Sequence, residues 1–320
     1  MRVGVFTVLW QNLPFEAALD KAVSFGLQAV EIGSGGYPGS HHCPVDELLE
    51  SADKRARYLK AIESRGLILS ALSCHYEPLH PNKQLARDSD EIFRKSVRLA
   101  QMMGVPVVNV LSSCPAGSPT DTQPNWVTCP WPNHFGDILK YQWDEVGIPY
   151  WKGAAKFAQE HGVKIGVEMH PGQLIYNVET LLRMRDACGE ALACNFDPSH
   201  LFWNGVDVIA AIRKLGNSIV HVHGKDCMVD SQNVAVNGCN DHKPYSQISQ
   251  RAWTFRSIGY GHDEKLWKDI VSALRLVGYD YVISIEHEDP MMSNDEGLAK
   301  GAALLNNVMI KEMPGAMFWA

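Results

Sequence analysis

The chain has 320 residues, 46% of them hydrophobic and 20% charged, and carries a formal net charge of −7. That balance suits a globular protein with a sizeable core and excludes a disordered chain, a collagen-like repeat or a small disulfide scaffold. With no basic excess to attract a phosphate backbone, nucleic acid is not an expected partner.

The eight cysteines include no Cys-x-x-Cys pair, which reads as reduced thiols in a cytosolic protein. The opening MRVGVFTVLWQ lacks the apolar stretch and cleavage site of a signal peptide. No uncharged apolar run approaches the roughly 20 residues that cross a bilayer. The expectation is a soluble cytoplasmic protein without a membrane partner.

Short Val- and Ile-rich runs predict eight strands, at Val3–Leu9, Ala29–Ile32, Ile68–Ser73, Val105–Leu111, Lys164–Met169, Leu192–Phe196, Ile219–Val222 and Tyr281–Ile285. Amphipathic stretches between and after them predict helices at Phe15–Phe25, Asp53–Ser64, Ser89–Met103, Pro149–Glu160, Val178–Ala187, Val206–Leu215, Glu264–Val277 and about Asp295–Ile310. Several helices end in a glycine just before the next strand, as in SFGLQAVEI and EHGVKIGVE, the mark of a helix C-cap leading into a buried strand. Continuously apolar strands alternating with helices imply a covered parallel sheet. Eight such units predict an α/β fold, a (β/α)8 TIM barrel. An open doubly wound sheet is the runner-up, but its first turn would read TVLWQNLPFE, with neither GxGxxG nor GxxxxGK.

Residues 1–320 read as a single domain with two long connections, at about 112–147 and 227–262. Both follow strands, on the side where barrel active sites form. Their aromatic content, Trp126, Trp131 and Trp143 in the first and Trp253 and Phe255 in the second, favours an ordered lid or an oligomer contact.

The last four strands end in IGVEMH, CNFDPSH, HVHGKD and ISIEHED. In a parallel barrel these ends share one mouth, where so many carboxylates would repel one another and resist burial unless a cation compensates them. Two glutamates, an aspartate and a histidine form a hard, oxygen-rich donor set that suits one divalent ion, Mn²⁺ first, with Mg²⁺ or Co²⁺ as alternatives and Zn²⁺ less typical. His221 and His223 share a face; His223 lies nearer the mouth, leaving His221 as a packed or supporting histidine. Glu286 and Glu288 also share a face, with Glu286 at the last regular position.

The ordered series Glu168, DPSH, HVHGKD, GYG and IEHED, with the opening LPFEAALDKAVSFGLQAVEIG, resembles the sugar-phosphate isomerase/epimerase superfamily of xylose isomerase-like TIM barrels, relatives of ketose 3-epimerases, inosose-processing enzymes and endonuclease IV. The resemblance spans essentially the whole chain. It implies a metal held by Glu168, Asp197, His223 and Glu286, catalytic proton transfer by Glu168 and Glu286, and substrate binding by His200. A Lewis-acidic ion beside a carbonyl acidifies the adjacent C–H, and one carboxylate can take that proton while the other returns it. Trp253 and Phe255 stand where endonuclease IV relatives carry an Asp-x-His pair, which argues against a three-metal nuclease site. The GKD after HVH looks more like inosose- and keto-sugar-processing members, so a keto-sugar or inosose lyase or hydratase is the alternative to an isomerase or epimerase.

Further substrate-binding candidates are His75, Lys225, Arg256 and Glu31. Each has a blander reading: His75 packing under the lid, Lys225 pairing with Asp226 or a nearby carboxylate, Arg256 pinning its loop, Glu31 as a buried hydrogen-bonded carboxylate. His41 and His42 read as solvated loop residues. Trp10, Trp126 and Trp131 suit either a sugar face or packing. The terminal Met317-Phe318-Trp319 would be an unusual exposed patch, which favours a dimer or tetramer.

Overall fold

The computed structural model describes residues 1–312 and 315–319. Eight parallel strands close into a barrel: β1 (Arg2–Phe6), β2 (Ala29–Gly33), β3 (Ile68–Ser73), β4 (Val107–Leu111), β5 (Lys164–Glu168), β6 (Leu192–Phe196), β7 (Ile219–Gly224) and β10 (Val282–Ile285). Between the last two lies an antiparallel hairpin of β8 (Asp226–Val229) and β9 (Trp253–Arg256). The ring closes where β1 pairs with β10, Arg2 opposite Val282 and Val5 opposite Ile285. The strands form because their β-branched residues are buried on both faces: Val5, Val30, Ile32, Val108, Ile165 and Val167 are fully enclosed.

The helices are α1 (Phe15–Ser24), α2 (Val45–Glu50), α3 (Ala52–Glu63), α4 (Lys83–Met103), α5 (His134–Lys140), α6 (Ile148–Glu160), α7 (Val178–Cys188), α8 (Ser199–Phe202), α9 (Val208–Leu215), α10 (Ser231–Asn237), α11 (Glu264–Leu276) and α12 (Asn294–Val308). Side-chain caps start many of them. Asp207 accepts the amides of Ile209 and Ala210, and Asn177 and Thr180 form a reciprocal capping box. None of the described helices is long and apolar enough to cross a membrane.

Several predicted boundaries move. The first strand stops at Phe6 rather than Leu9, because Thr7–Trp10 turns into a 3₁₀ helix that buries Trp10 against Phe25; Trp10 is therefore a packing residue. Helix α4 begins six residues before Ser89, since Asn82 caps the amides of Gln84 and Leu85. His42, read as solvated, is buried between Thr7 and Leu13, with Nδ1 3.1 Å from the Thr7 hydroxyl and Nε2 3.0 Å from the Leu13 carbonyl. His41 is exposed as expected.

Both long connections are structured. The first contains α5 and a π-helical turn, Tyr141–Gly147, that runs into α6. Buried Gln142 ties it together by donating to the carbonyls of Pro115, Ala116 and Asn125. The second is the β8–β9 hairpin with α10 at its tip, folded around its own small core of Trp203, Cys227, Ala252, Trp253 and Phe255. Phe318 and Trp319 are exposed at 92% and 72%.

One layer inside the barrel is polar. Asn109, Asn195, His221 and Ser70 are buried and linked: His221 Nδ1 lies 3.2 Å from Asn109 Nδ2 and 3.1 Å from Asn195 Oδ1, and its Nε2 lies 3.2 Å from Ser70 Oγ. Gly166 on β5 makes room for this layer, because a Cβ there would collide with the Asn109 amide oxygen.

Candidate active site

Parallel strands deliver their C-terminal residues to one rim. Glu168 is the last residue of β5, Asp197 follows β6, His223 lies near the end of β7 and Glu286 follows β10. One potential ligand atom from each lies within 4.8 Å of all the others. His223 is central, with Nδ1 3.0 Å from Glu168 Oε2 and 3.0 Å from Glu286 Oε2. His200, on α8, places Nε2 3.2 Å from Glu168 Oε1 and 3.3 Å from Asp197 Oδ2. Lys225 brings a cation to the rim, 3.4 Å from Glu286 Oε1 and 2.5 Å from Glu288 Oε2, so its partners are these carboxylates rather than Asp226.

The electrostatics follow from charges held out of water. Burial opposes the charge on Glu168, but His223 and the hydrogen bond with His200 hold its carboxyl well below the usual range. Burial likewise opposes charge on Glu286, but Lys225 and then His223 bring it to about 2. Burial pushes Asp197 up to about 8, assisted by Glu168 and Glu286 and opposed by Lys225. For His223, burial is outweighed by Glu31, Glu168 and Glu286, which raise it well above its ordinary value. Burial, with His170 beside it, lowers His200 to about 3, making it a neutral imidazole. The chain thus gathers more carboxylates than its own cations balance, and one member stays charged only at a cost.

Residues and donor chemistry together fit a divalent ion. Asp197 Oδ2 and Glu286 Oε2 are buried, meet only an imidazole nitrogen each, at 3.3 and 3.0 Å and without hydrogen-bond geometry, and belong to the four-residue cluster. Carboxylate oxygens so poorly satisfied at such spacing are unfavourable in a dry site and become favourable around a cation. Glu168, Asp197, His223 and Glu286 would hold it.

A cavity of roughly 310 Å³ opens above the cluster, within the range of small-ligand sites. Glu168, His75, Lys225 and Glu286 line it, together with Phe6 and Tyr37. Of the predicted substrate contacts, His75 and Lys225 reach this cavity; His75 Nδ1 is buried without a partner. Glu31 does not. It is fully buried beneath His223, accepting from Ser73 Oγ and from Asn109 Nδ2 at 2.9 Å. Arg256 also lies apart from the cluster, its Nε donating to Asp289 Oδ2 at 3.1 Å; this is the loop-pinning arrangement. His200 joins the cluster but is 1% exposed and does not line the cavity.

Sequence reasoning did not single out Asn195 and gave His170, at the end of IGVEMH, no role. Asn195 donates to Glu168 Oε2 at 3.2 Å, and His170 packs on His200 with ring centres 4.2 Å apart while lining the cavity. An asparagine inside an apolar strand, two residues before Asp197, was the available signal for the first.

A closed parallel barrel with a buried acid–imidazole cluster at its C-terminal rim defines the class, and the family pattern agrees. The chain belongs to the xylose isomerase-like TIM barrel family, whose pattern matches residues 19–308. It is 40% identical over 312 residues to the uncharacterized protein YfiH of Bacillus subtilis (strain 168), covering 97% of this chain and 99% of that protein. It is 33% identical over 70 residues to an inosose dehydratase of Clostridium perfringens, covering 22% and 24% of the two chains. Among solved structures, a D-tagatose 3-epimerase-like protein superimposes with a TM-score of 0.62 at 22% identity, over 96% of this chain and 97% of that one.

Proposed function

We propose that this chain, as a single barrel domain, is a divalent-metal-dependent isomerase or epimerase of a sugar or keto-sugar derivative. The observation that carries the reading is the convergence of Glu168, Asp197, His223 and Glu286 within 4.8 Å beneath a small polar cavity. A bound divalent ion, Mn²⁺ by preference, would supply Lewis acidity to a carbonyl and its neighbouring hydroxyl, acidifying the intervening C–H. Glu168 and Glu286 are both held as carboxylates, one fit to accept the carbon-bound proton and the other, once protonated, to return it. Lys225 steadies the charge on Glu286, and neutral His200 orients Glu168. Lys225 and His75 line the cavity and would bind substrate oxygens. The acidic net charge speaks against nucleic acid as substrate, and the exposed Phe318 and Trp319 suit a homo-oligomer.

A second reading is a keto-sugar or inosose lyase. The short match to an inosose dehydratase favours it, as does the buried Lys225 ammonium, a proton source for a leaving hydroxyl. The same α-proton abstraction begins both reactions.

The test is incubation of Mn²⁺-loaded protein with ketohexoses, 3-keto-glycosides and inososes in D₂O, followed by mass and NMR analysis. Deuterium at the α-carbon with the skeleton intact is the expected result. Loss of water selects the lyase. Absence of both exchange and bound metal overturns the proposal.

A further inference from the structure

A second recess, of about 500 Å³, opens beside the inner cavity, and His170 lines both. Its remaining walls come mainly from the two long connections and are strongly aromatic: Trp126 from the first, Tyr245 and Trp253 from the second, with Trp203 beyond α8. Trp126 and Tyr245 stand 38% and 56% exposed, whereas Trp203 and Trp253 are buried and stacked on each other at 4.8 Å. Tyr245 also stacks on Phe255, whose ring Lys225 touches at 4.3 Å, so the wall of the recess is joined to the rim cluster. The indole N–H of Trp203, 5% exposed, has no hydrogen-bond partner.

Two cations border the recess, yet neither is free to hold an anion. Lys243 pairs with Asp241 at 3.0 Å. Arg251 donates to the carbonyls of Trp253 and Lys243 and lies against the rings of Tyr245 and Trp253 at 4.3 and 4.6 Å. A phosphate is therefore a poor fit. Rings carrying C–H faces and hydroxyl edges suit aromatic platforms that also present isolated polar groups.

We infer that this recess is an outer subsite for a second, uncharged sugar ring, so that the substrate is a glycoside or disaccharide whose reacting ring occupies the inner cavity. The inference rests on the proposed sugar chemistry of the inner cluster, but it can be tested apart from it. Binding of glucose, maltose and cellobiose to the Mn²⁺-loaded protein is followed by tryptophan fluorescence and calorimetry. Turnover is followed with 3-ketoglucose and the 3-keto forms of the two disaccharides. Trp126→Ala and Tyr245→Ala are examined alongside, with circular dichroism confirming the fold.

The expected result is that at least one disaccharide is preferred over glucose by on the order of tenfold, and that each variant removes this preference while leaving the monosaccharide unchanged. Equal affinity for one and two rings in the wild type overturns the subsite, as does a preference that survives both substitutions. If disaccharide binding depends on Trp126 but no keto-sugar of either size exchanges its proton, the subsite stands and the proposed reaction falls. If 3-ketoglucose reacts and no second ring is preferred, the reverse holds.

Discussion

Glu31 stands directly behind His223, both of its carboxylate oxygens 3.1 Å from Nε2 of the imidazole whose Nδ1 faces Glu168 and Glu286. A carboxylate in that place fixes the proton on Nε2 and leaves the Nδ1 lone pair for a metal, raising the basicity of the ligand. Glu31→Gln is expected to weaken Mn²⁺ binding by about 10- to 100-fold, measured by equilibrium dialysis. An affinity equal to wild type would reduce Glu31 to a space-filling residue.

If Glu168 and Glu286 move the proton, the amide variants should lose chemistry out of proportion to metal. Glu168→Gln and Glu286→Gln are each expected to slow α-proton exchange by about 10²- to 10⁴-fold at saturating Mn²⁺. Asp197→Asn should act mainly by lowering metal occupancy. Exchange rates at several Mn²⁺ concentrations separate these effects; a Glu286→Gln protein that exchanges normally refutes its assigned role.

Asp226 secures the base of the hairpin. It is fully buried and accepts from the amides of Cys227, Gly259, Gly261 and His262, at 2.8 to 3.1 Å, with the His262 ring 2.8 Å away. Removing this acceptor strands one buried and several partly buried donors at once. Asp226→Ala is expected to lose about 3 kcal/mol or more. Calorimetry would detect that as a fall in Tm of roughly 5 °C. A change under 2 °C, on the same scale, would mean that the loop re-forms its bonds with water.

Asp289 gives a pH dependence of defined sign. Burial opposes its charge, but the amides of Ser257 and Met291 and the Arg256 guanidinium hold its carboxyl below the ordinary 3.8. A pKa lowered in the folded state stabilises the protein above the unfolded value, and that contribution disappears as pH falls through 3.8 toward the folded value. Asp289→Asn should therefore be less stable than wild type at pH 7 and lose less on acidification from about pH 5 to pH 3. Parallel acid melts of the two proteins check this; identical slopes would remove Asp289 from the pH response.

The barrel and its rim were legible because both depend on local patterns. Buried strands are Val- and Ile-rich, glycine ends helices, and acidic or imidazole groups such as Asp197 and His223 stand out where apolar strands stop. The role of Glu31 was not legible. That a strand ends in a glutamate does not reveal whether the side chain meets the cavity or lies under a histidine contributed nearly 200 residues later. Arg256 posed the same problem, since Asp289 reaches it only after the hairpin folds back. The interior of the long connections was hidden for a different reason: Gln142 and Asp226 organise them by bonding main-chain groups, which leaves no periodic trace.

The absent side chain at Gly166 ties reactivity to the barrel's interior. Asn109 occupies the space it leaves and grips Glu31, which in turn seats His223. A single methyl added at Gly166 would have to displace that amide and shift the chain of contacts above it. A change in the outer loops leaves these contacts untouched, whereas the floor of the barrel has little freedom to vary without shifting the imidazole.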